Sequence, residues 1–521
     1  MSQDTFLPND VLAATGIAGL DAVLEGGFPR TNVILVQGAT GTGKTVFGVE
    51  FIYRGIIDFD EPGIIVLFET SPAKLIRDCA TFGWDLARLQ REGKLEIIFT
   101  SPDVLDEELR SPESLLLEKA KAIGARRIFI DGINLLSPAA TNSGVRGVEI
   151  RSFRRLLQHI IDSFTRADLT AVLSHEIPSF IPTSDTLDAS GFLVDSVVQL
   201  NLIKDGRRTF RTIEVVKSRG HKYGYGQHTL HITNGVGLEV FRRVQARIYT
   251  EAAQPSSEIK QSVTGVAALD LLTGGGLYDG STTMVIGVSG VGKTVLGTHV
   301  LREGTTHGKR GLLISLDEHP AQIIRNAGAI GLDLQSLIDE GSLRVLFDSP
   351  QELDIDAHFN KIIHEVETHG IERMVIDGMS SYSTAVGDQK VYRDFVHALV
   401  GYSKGRLMTT FFNYENPEFL GISSFMPDFP VSSIVDNIIL LSMVEIRSSI
   451  RRCITVVKAR GCKHEFDSRE YQIGEGGINL VPIDRKGAKT FARYTSVLSR
   501  APTRRPARLE HYQRAADLAS D

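Results

Sequence analysis

Residues 32–45 read Asn-Val-Ile-Leu-Val-Gln-Gly-Ala-Thr-Gly-Thr-Gly-Lys-Thr, an apolar run followed by the pattern G-x-x-x-x-G-K-T. A helical run, Val46-Phe-Gly-Val-Glu-Phe-Ile52, comes next. Glycines at this spacing let backbone N–H groups surround a phosphate at the start of a helix, where the helix dipole favours negative charge. The segment therefore predicts a phosphate-binding loop between a strand and a helix.

The same pattern returns at residues 287–294, Gly-Val-Ser-Gly-Val-Gly-Lys-Thr. In such a loop the lysine neutralises phosphate charge and the last threonine hydroxyl suits Mg²⁺. A single match could be a chance glycine-rich turn, but two matches after apolar runs argue against chance. We expect ATP to contact Gly38, Thr40, Gly41, Thr42, Gly43, Lys44 and Thr45 in one loop and Gly287, Ser289, Gly290, Val291, Gly292, Lys293 and Thr294 in the other.

Outside the loops, further motifs recur at similar spacing. The two loop lysines are 293 − 44 = 249 residues apart, two Asp-Gly pairs are 377 − 131 = 246 apart, and two Lys-x-Arg-Gly motifs are 458 − 217 = 241 apart. A period near 250 residues is far longer than any solenoid repeat, so each copy should be a complete domain. The sequence therefore predicts a tandem duplication.

The fold class follows from apolar runs that alternate with helical stretches within each copy. Continuous apolar strands between helices are typical of a buried, mainly parallel sheet flanked by helices, hence two tandem α/β domains. Residues 250–258 are small and polar, as in a linker, and residues 486–508 hold seven Lys or Arg and no acid. We expect domains at 1–247 and 262–484, a linker at 248–261 and a flexible basic tail at 485–521.

Composition narrows the class of protein. The 521 residues exceed the usual size of one domain, and 57 Lys and Arg against 63 Asp and Glu argue against an electrostatic nucleic-acid binder. Three cysteines lack zinc or disulfide spacing, and neither a signal peptide nor an apolar run of membrane-spanning length is seen. We expect a cytoplasmic protein without membrane or nucleic-acid partners.

Acidic residues end several apolar runs. Asp131 and Asp377 each close a strand-like run and precede glycine, as does the carboxylate that binds the magnesium shell in phosphate-loop enzymes. Glu69, Asp317 and Glu318 follow another strand, where a carboxylate can activate a nucleophile that attacks the γ-phosphate. A turn-forming or solvated loop acid is the alternative, most of all for Asp317. The predicted metal ligands are Thr45, Asp131, Thr294, Asp377 and Glu318.

Two basic pairs recur near the end of each copy, Lys217 with Arg219 and Lys458 with Arg460. Residues two apart on a strand face the same way, so both charges can point at one anion. A basic strand end is more often a solvated edge that prevents aggregation. The recurrence of the pair favours a phosphate-sensing role.

Together these motifs resemble those of the KaiC family of circadian clock ATPases and autokinases, and the resemblance covers nearly the whole chain. It rests on both phosphate loops, T-G-x-x-x-L-D at Thr15–Asp21 and Thr264–Asp270, Phe82-Gly-Trp84-Asp-Leu, Asp436-Asn-Ile-Ile-Leu-Leu441 and Val444-Glu-Ile-Arg447. The family implies RecA-like domains, a homohexamer of two stacked rings, and Mg-ATP at subunit interfaces. It further implies that the Lys-x-Arg pairs reach a neighbour's γ-phosphate.

In that family the first domain hydrolyses ATP slowly, and the second phosphorylates and later dephosphorylates a hydroxyl pair on the adjacent subunit. The resemblance places this pair at Ser432 and Ser433, whereas the first copy has Gly191 and Phe192 there. It implies a timing or signalling switch with KaiA-like and KaiB-like partners. Without the resemblance, two serines before a strand would be read as a capping turn.

This chain departs from the family pattern in three places. One carboxylate, in Glu69-Thr70, replaces a pair of glutamates, the second acceptor is serine rather than threonine, and Pro427 replaces a nearby threonine. Two other functions fit a tandem phosphate-loop protein: a RecA-type DNA-dependent ATPase, and a nucleotide-gated scaffold without catalysis. The first lacks a dense basic run within either domain, and the acids Glu69 and Glu318 argue against the second.

Overall fold

The computed structural model describes residues 11–111, 114–133, 157–177, 193–205, 208–245, 260–415, 431–446, 449–462, 464–465 and 467–481. The chain divides into two compact units, residues 1–243 and 244–521. Residues 248–259 of the predicted linker and the predicted tail lie outside the described residues, and Gln261 already begins a short strand. In the described part of the chain, every helix is too short or too polar to cross a bilayer.

The first unit alternates strands and helices before ending in strands. Its strands are β1 (Leu12–Ala13), β2 (Phe28–Pro29), β3 (Val33–Gly38), β4 (Gly63–Leu67), β5 (Leu95–Phe99), β6 (Arg127–Asp131), β7 (Thr170–Glu176), β8 (Ser196–Asp205), β9 (Arg208–Ser218), β10 (Gln227–Thr233) and β11 (Gly237–Phe241). Its helices are α1 (Leu20–Val23), α2 (Lys44–Phe59), α3 (Pro72–Cys79), α4 (Leu86–Arg91), α5 (Pro102–Arg110), α6 (Leu115–Ile123) and α7 (residues 157–166).

The second unit follows the same plan. Its strands are β12 (Gln261–Ser262), β13 (Leu277–Tyr278), β14 (Thr282–Gly287), β15 (Gly311–Ser315), β16 (Leu343–Phe347), β17 (Arg373–Asp377), β18 (Thr409–Glu415), β19 (Asn437–Ile446), β20 (Ser449–Ala459), β21 (Arg469–Gly474) and β22 (Gly477–Leu480). Its helices are α8 (Ala267–Leu272), α9 (Lys293–Thr306), α10 (Pro320–Ala329), α11 (Leu334–Asp339), α12 (Ile355–His369), α13 (Met379–Val386), α14 (Gln389–Gly405) and α15 (Val431–Ile434).

Each unit contains a nine-stranded sheet with one strand order. The order is β5-β4-β6-β7-β3-β8-β9-β10-β11 in the first unit and β16-β15-β17-β18-β14-β19-β20-β21-β22 in the second. The first six strands of each run are parallel and the last three antiparallel. The predicted α/β class with mainly parallel sheets is therefore confirmed, and the antiparallel end is an addition that the apolar runs did not indicate.

The central strands are buried on both faces, which explains their continuous apolar composition. All residues of β3, β4 and β14 are buried. In each unit two apolar clusters, one per face of the sheet, fill the space between the sheet and its helices. This core holds the strands in register, so the loops at their carboxyl ends keep fixed positions.

Candidate nucleotide sites

The first phosphate loop connects β3 to α2. Gly43 precedes the helix with φ 107°, a left-handed conformation that side chains rarely adopt, and a Cβ here would lie 2.8 Å from the Ile232 side chain. Lys44 Nζ folds back over the loop and donates to the carbonyl oxygens of Gly38 at 2.8 Å and Ala39 at 2.9 Å. The ammonium therefore lies where a phosphate would enter.

The second loop repeats this geometry between β14 and α9. Gly292 has φ 110°, and Lys293 Nζ donates to the carbonyl oxygens of Gly287 and Val288, both at 2.9 Å. Burial lowers the pKa of Lys293, and the nearby carboxylates of Glu415, Asp377 and Asp317 partly offset this. Burial lowers the pKa of Lys44 in the same way. A bound phosphate would stabilise both charged amines.

Each loop threonine meets the aspartate that closes a neighbouring strand. Thr45 Oγ1 donates to Asp131 Oδ2 at 2.9 Å, and Thr294 Oγ1 donates to Asp377 Oδ2 at 2.6 Å. The other carboxylate oxygen accepts from Ser174 in the first unit, at 2.7 Å, and from Asn413 in the second, at 3.0 Å. A hydroxyl and an oriented carboxylate next to a phosphate loop are hard oxygen ligands of the kind that Mg²⁺ requires.

Both loops open into a cavity, of about 570 Å³ in the first unit and 860 Å³ in the second. Glu69 and Asp131 line the first cavity, and Asp317, Glu318 and Asp377 line the second. These are the acids predicted from the sequence. Desolvation, followed by the charges of Asp377 and Asp317, raises the pKa of Glu318. Carboxylates with shifted pKa values cluster at functional sites, so this shift marks Glu318 as a candidate functional residue.

Sequence reasoning missed one acid in each cavity. Glu176 ends β7 and Glu415 ends β18, and both line the cavity of their unit. Glu176 accepts a short hydrogen bond from the Thr40 hydroxyl, and each glutamate interacts with its loop lysine. The signal was available, since both glutamates end a strand-like run and recur at 415 − 176 = 239 residues.

The basic pairs lie at the other end of the sheet. Arg219 N–H donates to the carbonyl of Asp195, whose own N–H donates to the carbonyl of Val33, the first residue of β3. The phosphate loop begins at the last residue of that strand, and the five intervals of about 3.3 Å between its six residues separate the two ends by roughly 17 Å. Neither Lys217 nor Arg219 is among the described residues that line the first cavity.

The second unit has the same arrangement. Lys458 Nζ donates to the Val435 carbonyl at 2.7 Å, as Lys217 Nζ does to Val194 at 2.7 Å. Arg460 is absent from the described lining of the second cavity, as is Lys458. The strand pairing shifts register just before each lysine, opposite Val197 and Val198 in the first unit and opposite Ile438 and Ile439 in the second. Bulges of this kind redirect a side chain, so both units aim their lysine in the same way.

The predicted acceptor pair lies at this same end of the second sheet. Ser432 and Ser433 belong to α15, which is separated from β19 by two residues. Asp436 N–H donates to the Thr282 carbonyl at the start of β14. Arg460 Nη2 donates to the Ser433 carbonyl at 3.0 Å. Gly191, Phe192 and Pro427 lie outside the described residues. The acceptor segment and the basic pair are thus neighbours, and both are remote from their own phosphate loop.

Comparisons with known proteins agree with this duplicated architecture. A family model described as "ATPase: KaiC" matches residues 13–245 and again residues 262–485. The chain is 33% identical over 496 residues to the circadian clock oscillator protein KaiC of Parathermosynechococcus lividus, which covers 94% of this chain and 88% of the relative. It is 34% identical over 505 residues to that of a Picosynechococcus species, covering 94% and 92%.

A third relative, the circadian clock oscillator protein KaiC of Synechococcus elongatus, is 32% identical over 497 residues, or 94% of this chain and 91% of the relative. The match therefore spans both units and both phosphate loops rather than one conserved motif. The double match reflects two RecA-like domains that share one strand order. Each domain has a phosphate loop and a threonine–aspartate pair. This chain belongs to the KaiC family of nucleotide-binding ATPases.

Proposed function

We propose that the chain is a Mg²⁺-dependent ATPase and serine autokinase that works as a homohexamer of two stacked rings. The first unit hydrolyses ATP slowly, and the second transfers the γ-phosphate to Ser432 and Ser433 of a neighbouring copy and later removes it. The observation that carries the proposal is the contact of Arg460 with the Ser433 carbonyl, at the sheet end remote from the phosphate loop. Family membership favours this function over the DNA-dependent ATPase and the scaffold.

The location of the acceptors supports transfer between copies. Since Ser433 lies at the amino end of β14 and Lys293 at its carboxyl end, the ATP of one copy cannot reach its own acceptor pair. A neighbour whose ATP approaches Lys458 and Arg460 would bring its γ-phosphate to the same acceptors. Lys217 and Arg219 would bind a neighbour's ATP in the first ring in the same manner.

The residues of each cavity suit phosphoryl transfer. In the first unit Lys44 would hold the β- and γ-phosphates, while Glu69 orients and deprotonates the attacking water. In the second unit Asp317 or Glu318 would accept the proton of the attacking serine hydroxyl. Thr45 with Asp131, and Thr294 with Asp377, would hold Mg²⁺, which when bound neutralises charge on the β- and γ-phosphates.

The clock names of the relatives support a timing or signalling role, with KaiA-like and KaiB-like proteins as candidate partners. Phosphates on Ser432 and Ser433 would supply the switch, because each adds about −1.5 to −2 charges at pH 7 and can attract Arg460. Such a charge, at a surface that contacts a neighbour, would change how the copies hold each other.

The test is time-resolved mass spectrometry of the purified protein with Mg-ATP. Trypsin releases Ser432 and Ser433 within residues 407–447, because no Lys or Arg lies between Arg406 and Arg447. We expect one and two phosphates on this peptide, and none in a Ser432→Ala/Ser433→Ala variant that still binds ATP and assembles. A wild-type protein that hydrolyses ATP with this peptide unmodified at all times would overturn the kinase part.

A further inference from the structure

The cavity of the second unit contains a serine, Ser381, that the transfer to Ser432 and Ser433 does not use, and this serine is paired with a carboxylate of the cavity. Ser381 Oγ donates a hydrogen bond to Asp317 Oδ1 at 2.5 Å. Both residues line the same cavity as Lys293 and Thr294. A serine hydroxyl whose proton points at a carboxylate, in a site that holds a γ-phosphate, has the arrangement of a nucleophile and its general base.

Electrostatics places Asp317 near the phosphate-binding lysine as well. Its carboxylate interacts electrostatically with the Lys293 ammonium, as do the carboxylates of Glu415 and Asp377. Asp317 therefore interacts at once with the lysine that would hold the γ-phosphate and with the Ser381 hydroxyl. This places the acceptor, the base and the phosphate-binding group within one site.

A buried network holds the helix that carries Ser381. The neighbouring residue Tyr382 is fully buried, and its hydroxyl lies 2.6 Å from His358 Nε2, while His358 Nδ1 lies 2.6 Å from Asp348 Oδ2. An imidazole that accepts from the Tyr382 hydroxyl at Nε2 and donates to Asp348 from Nδ1 satisfies all three groups. Since a paired network of this kind is costly to break, it anchors α13, the helix that carries Ser381.

Ser381 and the proposed acceptor pair lie at opposite ends of the sheet. Ser381 lies four residues after Asp377, at the carboxyl ends of the strands and beside its own phosphate loop, whereas Ser433 lies at their amino ends. The first copy has Leu135 at the corresponding sequence position, 381 − 246 = 135. Only the second copy can offer a hydroxyl there.

We propose that Ser381 is a further phosphorylation site, modified in cis by the nucleoside triphosphate bound in its own unit. Ser381 Oγ attacks the γ-phosphorus, its proton passes to the Asp317 carboxylate, and the bond to the β,γ-bridging oxygen breaks. The products are a nucleoside diphosphate and a phosphoserine. The new charge lies among Asp317, Glu318 and Asp377, so it repels the next triphosphate and stops transfer to the neighbour.

This inference rests on the proposed function for the nucleotide of the second unit, but its acceptor lies on a different tryptic peptide. Residues 374–390 contain Ser381, and residues 407–447 contain Ser432 and Ser433. Occupancy of the second peptide reports the proposed function, and occupancy of the first reports the present inference. The two can therefore fail separately.

The experiment mixes ¹⁵N-labelled Lys293→Ala chains with unlabelled wild-type chains in Mg-ATP. We expect wild-type peptide 374–390 to carry phosphate on Ser381, and the labelled peptide 374–390 to carry at least tenfold less. The labelled peptide 407–447 should still be phosphorylated by wild-type neighbours, which shows that the variant chain is folded and assembled. Ser381→Ala should remove the signal from 374–390, and the matched variant Ser380→Ala should keep it.

Two results would overturn the cis site. One is an unmodified wild-type peptide 374–390 at every time point while 407–447 is phosphorylated. The other is equal phosphorylation of 374–390 in labelled and unlabelled chains, which would mean transfer from a neighbour. If 407–447 is unmodified in both chains, the proposed function fails, whatever 374–390 shows.

Discussion

The Arg460 guanidinium donates a hydrogen bond to the carbonyl oxygen of Ser433, at 3.0 Å. Its other terminal nitrogen lies 3.7 Å from Asp436 Oδ1, and the Arg460 side chain remains half exposed. The cation is thus held beside the acceptor segment with a face free for a further anion. An arginine fixed in this way can bind a phosphate from outside without losing its own position.

The first prediction is that Arg460 acts on a neighbour's ATP. Arg460→Ala and Lys293→Ala should each abolish phosphorylation of peptide 407–447 in a homogeneous preparation. When the two variants are mixed, some interfaces combine an intact Lys293 from one chain with an intact Arg460 from the other. We expect roughly a quarter of the wild-type rate, measured with radioactive ATP.

A mixture as inactive as its components, although mass measurement finds mixed assemblies, would place Arg460 and Lys293 in one site of one chain. The matched control is Arg451→Ala, which removes a half-exposed arginine that pairs with Glu470 and lies in β20, the strand that ends one residue before Arg460. This variant should keep its activity.

The second prediction divides the chemistry between the units. Glu69→Gln should lower steady-state ATP hydrolysis strongly and leave phosphorylation of 407–447 intact, because general-base assistance is worth about 10²- to 10⁴-fold. Asp317→Asn and Glu318→Gln should show which acid serves the kinase, since one of them should lose phosphorylation while hydrolysis persists. The assays are phosphate release and peptide phosphorylation on the same samples.

Glu92→Gln offers a control for that series, because Glu92 is an exposed helix-end acid paired only with Arg88 among the described salt bridges. Parallel loss of both activities in every cavity variant would mean that the division is wrong.

The third prediction concerns assembly. ATP at the interfaces should join the copies, so size-exclusion chromatography with light scattering should find a hexamer with Mg-ATP and smaller species without it. Lys217→Ala/Arg219→Ala should shift this balance towards the smaller species, since the pair would no longer bind the neighbour's phosphate. Lys94→Ala, which removes an exposed lysine paired with Asp60, should not. A monomer under both nucleotide conditions would contradict the interface role.

The fourth prediction concerns two buried groups at equivalent places. Glu50 accepts from the Leu238 N–H at 2.7 Å in the first unit, and His299 accepts from the Ile478 N–H at 2.9 Å in the second. Desolvation raises the pKa of Glu50 to about 7 and lowers the pKa of His299 to about 4. The units should therefore respond to pH in opposite directions.

For Glu50 the unfolded chain loses its proton near pH 4.5 and the folded unit only near 7, so stability falls as the pH rises through this range. For His299 the unfolded chain gains a proton below pH 6.5 and the folded unit resists to about 4, so stability falls as the pH drops. Each effect changes the free energy of unfolding by about 3 kcal/mol at most.

Urea unfolding from pH 4 to 8 measures both effects. The only tryptophan of the chain, Trp84, is buried in the first unit, so its fluorescence reports that unit while circular dichroism reports both. Glu50→Gln should reduce the pH dependence of the unfolding that Trp84 fluorescence detects. His299→Gln should reduce the pH dependence only of the unfolding that circular dichroism detects and fluorescence does not. An unchanged profile in Glu50→Gln would refute the assignment, since glutamine keeps an acceptor oxygen for Leu238 without titrating.

Much of the fold was accessible from the amino-acid pattern. Buried parallel strands are apolar throughout, and a phosphate loop requires glycines and a lysine at set spacing, so both features are local and repeat visibly in a duplicated chain. The prediction of two mainly parallel α/β units and of the family is confirmed. The three antiparallel strands were missed because strands such as β9 have one partly exposed face and lack a continuous apolar run.

Spatial relations in the sites required the tertiary structure. No local pattern shows that Glu176 returns to the loop beside Lys44, because β7 and β3 are adjacent only through the crossover topology of the sheet. The same holds for Arg460 beside Ser433, and for Ser381 against Asp317, which are 381 − 317 = 64 residues apart. Sequence motifs name the chemical groups, but which end of the sheet each group occupies depends on strand direction, and that is a property of the folded sheet alone.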